Sequence, residues 1–154
     1  MGEKNMTPNE LTRIAKHIIK NNIYLTLGTA DKDPWVAPVF YAVDNKYNFY
    51  YISQMDSLHT KHILNNPTVA FAIFDSHQKE GAGNGVQGLG EAHLLKNEEL
   101  SEAFKWYHTT FVDMKPESFT GSAPYRFFKI VPEKFYVLDP DAKVDKRVEV
   151  NFNE

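Results

Sequence analysis

"IYLTLGTADKDPWVAPVFYAVDNKYNFYYIS", Ile23 to Ser53, is the stretch whose reading decides the fold. Ile23, Leu25 and Leu27 alternate with Tyr24 and Thr26, the period of a half-buried strand. "ADKDP" turns the chain, and "WVAPVFYAV" (35–43) reads as a second strand. Its internal Pro38 has no N–H to give to a ladder, so it belongs at an edge or a bulge. "DNKYN" turns the chain again into "FYYIS" (49–53). The spacing predicts a meander of three antiparallel strands.

On the N-terminal side the period is helical. In "TPNELTRIAKHIIKNN", Thr7 suits the N-cap, Pro8 the first helical position and Glu10 a capping box. Leu11, Ile14, Ala15, Ile18 and Ile19 then form one apolar stripe. On the C-terminal side comes "SLHTKHILNNPTVAFAIFD" (57–75): a short helix over 57–65, stopped at Pro67, then a strand over 68–75. "GVQGLGEAHLL" (85–95) predicts a strand with glycine-marked bulges. "NEELSEAFKWYHTTF" (97–111) predicts a third helix capped by Asn97, and "YRFFKIV" and "KFYVLD" a closing hairpin-like pair. The tail, 140–154, is charged and is expected to be partly disordered or to cross to a partner. With no repeat and no linker, residues 1–154 read as one domain with its core at about 7–139. Strands that succeed one another without crossover helices imply a mainly β fold, a six-stranded antiparallel barrel with peripheral helices.

Composition narrows the function. The net charge of −3 provides no basic field for nucleic acid. No apolar run approaches the ~20 residues of a membrane span, and "MGEKNMTPNE" lacks the apolar core of a secretory leader, so a cytoplasmic protein is expected. The absence of cysteine excludes disulfides, thiolate metal sites and cysteine nucleophiles. "GNGVQG" (83–88) matches G-x-G-x-x-G formally, but a long loop precedes it and another glycine with β-like alternation follows, which is not a dinucleotide-binding context. His59 and His62 could share an ion, yet no carboxylate lies between Ser57 and Phe74 to complete a zinc site, so no metal is expected. No G-x-S-x-G elbow supports serine catalysis.

What remains is the front of "SLHTKHIL". A helix N-terminus offers amides without intrahelical acceptors and a partial positive charge, hence an anion site. Ser57 can cap those amides or donate to a phosphate oxygen, and His59 lies in the first turn. At ~100° per residue His59 and His62 share a side while Lys61 points away. The competing reading of these residues alone is a capped helix with a solvated polar face.

Taken in order, the segments resemble the pyridoxamine 5'-phosphate oxidase-like family of FMN-binding split barrels, over roughly Leu11 to Asp139. The likeness rests on the N-terminal helix, the Pro-containing strand, "SLHTKHILNNPTVAFAIFD", "GVQGLGEAHLL" and "YRFFKIVPEKFYVLD". The resemblance implies a homodimer with FMN in each of two interface clefts. Carried over, Pro38, Val39 and Phe40 line the flavin, Ile52 and Ser53 meet its ring or ribityl chain, and Gln87 reaches it across the dimer. Ser57 and His59 fall at the phosphate-binding Ser-x-Lys positions, with Thr60 and Lys61 beside them. The family's phosphate arginine falls at Ala37 and its Arg-Lys pair at Leu58-His59. Weaker FMN binding follows, strengthening as pH falls toward ~6 and the imidazole gains charge. The basic residues that bind pyridoxal phosphate in the oxidases have no counterparts in "DMKPESFTGSAPYRF", so vitamin B6 oxidation is not expected.

Three functions are consistent with this reading. The leading one is a flavin-dependent oxidoreductase acting on a small molecule, with Tyr51, Trp106, Tyr107 and His108 as candidates to shape its substrate side. The others are a non-catalytic flavin-storing dimer and a haem-binding relative of the same barrel with a histidine axial ligand.

Overall fold

A computed structural model of the chain describes residues 5–153; part of the segment read for a leader, residues 1–4, lies outside the described residues. Helix α1 (Pro8–Lys20) starts as its sequence dictates: Thr7 accepts from the Glu10 N–H, and Glu10 closes the box on the Thr7 N–H at 2.8 Å. Its stripe buries Leu11, Ala15 and Ile19 against the barrel.

The strands are β1 (Tyr24–Ala30), β2 (Pro34–Phe40), β3 (Ala42–Val43), β4 (Phe49–Gln54), β5 (Thr68–Phe74), β6 (Gly85–Leu94), β7 (Tyr125–Leu138) and β8 (Arg147–Val150). They form one antiparallel sheet in the order β2-β1-β5-β6-β7-β4-β3, with β8 added beside β7. The sheet is the curled sheet of a split barrel, with α2 (Leu58–Asn65) and α3 (Leu100–Trp106) at its periphery. No helix of the described residues is long and apolar enough to cross a membrane.

Four sequence expectations change in detail. The predicted meander does not form, because 35–43 breaks at Tyr41: β2 pairs with β1 and β3 with β4. The Tyr41 N–H turns to the Ile23 carbonyl, and its buried hydroxyl donates to the Ile19 carbonyl, so this residue leaves the sheet to bind α1. Pro38 does lie on an edge strand. The closing hairpin is instead one 14-residue strand, β7, whose first half pairs with β4 and whose second half pairs with β8. Pro132 is tolerated inside it because the register slips there: Leu89 faces Lys134 while Gly90 faces Pro132. Gly90 is required at that bulge, since a Cβ would sit 2.4 Å from the Val131 carbonyl oxygen.

The predicted third helix begins as a 3₁₀ turn (Asn97–Glu99), and α3 stops at Trp106, with Asn97 inside the turn and not capping it. The tail returns to its own barrel. Residues 147–150 pair with β7, Val150 is buried, and Phe152 packs on Tyr47 and Phe135 at ring-centroid distances of 4.4 and 4.3 Å. Apolar residues Val148, Val150 and Phe152 outweigh the flanking charges once a strand edge is available to them.

Two cores flank β4 and the first half of β7. Phe49, Tyr51 and Phe128 face the barrel interior, whereas Tyr50 and Phe127 face a second cluster under α3 with Leu100, Tyr107 and Phe119. Consecutive residues buried on opposite faces explain why "FYYI" (49–52) is a run of large apolar and aromatic residues and does not alternate.

Candidate functional site

The candidate site has two parts. The first is at the barrel end where β4 runs into α2. Ser57 is the N-cap of α2: its Oγ accepts from the Thr60 N–H, and its hydroxyl is 2.8 Å from Thr60 Oγ1. Ser53, on the inner face of β4, places its Oγ 2.7 Å from His59 Nε2 and 3.2 Å from Ser57 Oγ, and Ser57 Oγ is 3.3 Å from the same nitrogen. Three hydroxyls and an imidazole thus converge at a helix N-terminus whose first turn carries no acidic residue. Burial, and then the neighbouring His62, hold the His59 pKa below the ordinary histidine value. His62 is itself buried, with Nδ1 3.1 Å from Thr29 Oγ1 on β1, a contact between distant segments that nothing in the sequence signals. Lys61 is exposed.

Tyr51 backs this cluster. Its ring lies 6.3 Å from that of His59 and stacks on Phe128 at 5.2 Å, while its fully buried hydroxyl has no hydrogen-bond partner. Burial raises its pKa far above the ordinary phenol value. The hydroxyl is kept neutral, as a donor without an acceptor.

The second part is the outer face of the sheet. Register places Pro38, Thr26, Ala72, Gln87 and Tyr136 in one row across five strands. Pro38 and Gln87 are three strand spacings apart, about 14 Å. Small residues in that row and the next (Gly28 and Ala70 included) leave a cleft of ≈ 410 Å³ between them, rimmed by Val36, Leu89, Gln87 and Tyr136. The rim is apolar and open: Val36 is 61% and Leu89 44% exposed. The alternation Thr26-x-Gly28 and Ala70-x-Ala72 is a signal that reading the sequence for large residues passes over.

The remaining predicted residues divide between these faces. Phe40 lies at the far end of β2 from Val36 and does not line the cleft, edge-on instead to Tyr24 and Tyr107. Val39 is buried in the barrel core, so only its backbone is available to a ligand. Ile52 turns away from Ser53 into the second core. The structure therefore gathers Ser53, Ser57, His59 and Thr60 into one cluster and sets Pro38 and Gln87 on another face, with Lys61 apart from both. No group of three or more potential metal ligands occurs among the described residues.

The hydroxyls and helix amides at α2 have the chemistry to hold a phosphate, and the apolar cleft with its amide side chain, on the other face of the sheet, has the chemistry to hold a flat ring system. Comparisons with known proteins bear on the fold and the family. General Stress Protein 26 from Bacillus anthracis is 20% identical and superposes with a TM-score of 0.59, covering 92% of this chain and 98% of its own. An FAD-binding protein from Mesorhizobium loti is 20% identical with a TM-score of 0.63, covering 87% and 93%. A heme binding protein from Mycobacterium smegmatis is 16% identical with a TM-score of 0.68, covering 93% of this chain and 58% of its own. At these identities the likeness shows the fold. A search of curated protein sequences finds no match. The family model described as pyridoxamine 5'-phosphate oxidase matches residues 11–139, and the chain belongs to that family.

Proposed function

We propose that this protein binds FMN as a homodimer and works as a flavin-dependent oxidoreductase on a small organic molecule. The observation that carries the reading is the convergence of Ser53, Ser57 and His59 at the α2 N-terminus, within a chain of this family. The donor set fits a phosphate: two hydroxyls, an imidazole and first-turn amides can all donate once the serines turn from each other toward an anion. The open apolar sheet face, with Val36, Phe74 and Leu89 between 44% and 61% exposed, supports association with a second copy through the same cleft that holds Gln87.

When bound, FMN supplies hydride or electron transfer. The chain's part is to hold the phosphate at α2, to present Gln87 as a hydrogen-bonding amide and to shield the cleft from water.

The test is the absorption spectrum of the purified chain with and without added FMN. Saturable binding with flavin bands is expected, and a protein that binds no FMN, or shows a Soret band, refutes the reading. Bleaching of the bound flavin by NAD(P)H separates an enzyme from a carrier.

A further inference from the structure

The phosphate site as described has no permanent cation: Ala37 and His59 stand at two of the positions where the family's basic residues are expected, and Lys61 is exposed and off the cluster. Register supplies a candidate that sequence order conceals. Arg126, on β7, is directly opposite Ser53 on β4. Opposed residues on antiparallel strands share a face, with Cβ atoms ~5 Å apart. The neighbouring pairs confirm the face: Tyr51 meets Phe128 inside the barrel, and Ile52 meets Phe127 in the second core. Arg126 and Ser53 therefore both occupy the inner side, at the barrel end where β4 leaves for α2 and β7 begins.

The guanidinium itself is held by the loop that leads into β7. Nη1 donates to the carbonyls of Ala123 and Tyr125, and Nη2 to that of Gly121 at 2.5 Å. A guanidinium has five N–H donors, so these three bonds leave two free. No carboxylate is among these partners, so the charge is hydrogen-bonded by dipoles and not neutralised by an acid. A half-buried arginine fixed in this way is pre-ordered for an anion, since little side-chain entropy remains to be lost.

We propose that Arg126 is the permanent cation of the FMN phosphate site, contributed by β7 in place of the basic residues missing from β2 and α2. The proposal rests on the FMN reading. Its role is binding: it would discriminate FMN from the same flavin without a phosphate.

The experiment compares Kd values for FMN and riboflavin on the full chain, for wild type, Arg126→Gln and Arg126→Lys. Wild type is expected to prefer FMN by at least tenfold. Arg126→Gln should lose most of that preference while its riboflavin Kd stays within about twofold, with Arg126→Lys in between. Equal weakening toward both flavins would mark a structural role and overturn the proposal, as would an unchanged preference. A second arm needs no variant. At pH 8.5, where His59 is neutral, wild type should keep a preference for FMN that rising salt reduces. Disappearance of the preference at that pH overturns the proposal while leaving FMN binding intact. A chain that binds neither flavin overturns this assignment and the FMN reading together.

Discussion

The front of α2 and the outer face of the sheet are opposites in how they treat their polar and apolar groups. At α2, Ser53, Ser57, His59 and Thr60 satisfy one another within 2.7–3.4 Å, and the cluster is closed without a ligand. On the outer face, Val36, Leu89 and Phe74 expose apolar surface around small residues, and nothing among the described residues covers them. The first region is stable as it stands and must exchange internal hydrogen bonds for those to a ligand. The second gains from any surface that excludes water. Binding at the closed region is therefore tuned by proton and charge, and binding at the open one by area.

The largest expected effect breaks the open region. Leu89→Asp places a carboxylate in the proposed interface, where an unpaired buried charge costs ~3 kcal/mol or more. Sedimentation should show the dimer dissociating with the dimerisation constant weakened at least a hundredfold, and FMN retention lost with it. A wild-type chain that sediments as a monomer sinks the expectation at once.

Ser57→Ala tests the closed region in two readouts. Loss of the N-cap should lower unfolding stability by ~1 kcal/mol in urea titration. Loss of a hydroxyl donor to a charged phosphate should weaken FMN about tenfold. A stability loss with unchanged FMN affinity would leave Ser57 a cap and nothing more.

A pH series separates folding from binding at His59. Its folded pKa is lowered by burial and by His62, so the unfolded chain takes up the proton first. The stabilising contribution is complete above the unfolded value near ~6.5 and declines as pH falls through the window down to the folded pKa. Apo stability should thus decrease with acidification. FMN affinity should rise over the same range, because the phosphate favours the imidazolium. Parallel movement of the two would contradict the assignment of His59.

The smallest effect concerns Tyr51. Its hydroxyl is buried and unpartnered, so Tyr51→Phe removes a polar group without breaking a bond. Apo stability should change by no more than ~0.5 kcal/mol or increase slightly. A clear loss of stability would mean that the hydroxyl has an acceptor.

Much of this architecture was legible because it is local. The capping box of α1, the cap of α2 and the edge position of Pro38 follow from residue type and spacing, and the structure carries all three. The bulge at Gly90 was legible too, as a glycine inside an alternating strand. Elements decided by pairing were not. Whether 35–43 is one strand or two depends on Tyr41 finding α1, and whether 125–138 is a hairpin depends on a register slip that accommodates Pro132. The same division holds for the site. Ser57 and His59 stand close in sequence and could be named, whereas the Ser53–His59 bond and the placing of Arg126 opposite Ser53 arise only when β4 meets its partners.

The break at Tyr41 has a consequence for how the molecule can be cut. The two end strands of the ordered sheet, β2 and β3, are consecutive in the chain, so a single residue staples one rim of the barrel to the other. New termini introduced in the exposed 76–83 loop would leave that staple intact, and a circular permutant opened there should fold. Opening the chain at Tyr41 would free two strand rims at once. Such rims pair with any neighbour they meet, so this permutant should assemble into open-ended polymers in place of closed barrels.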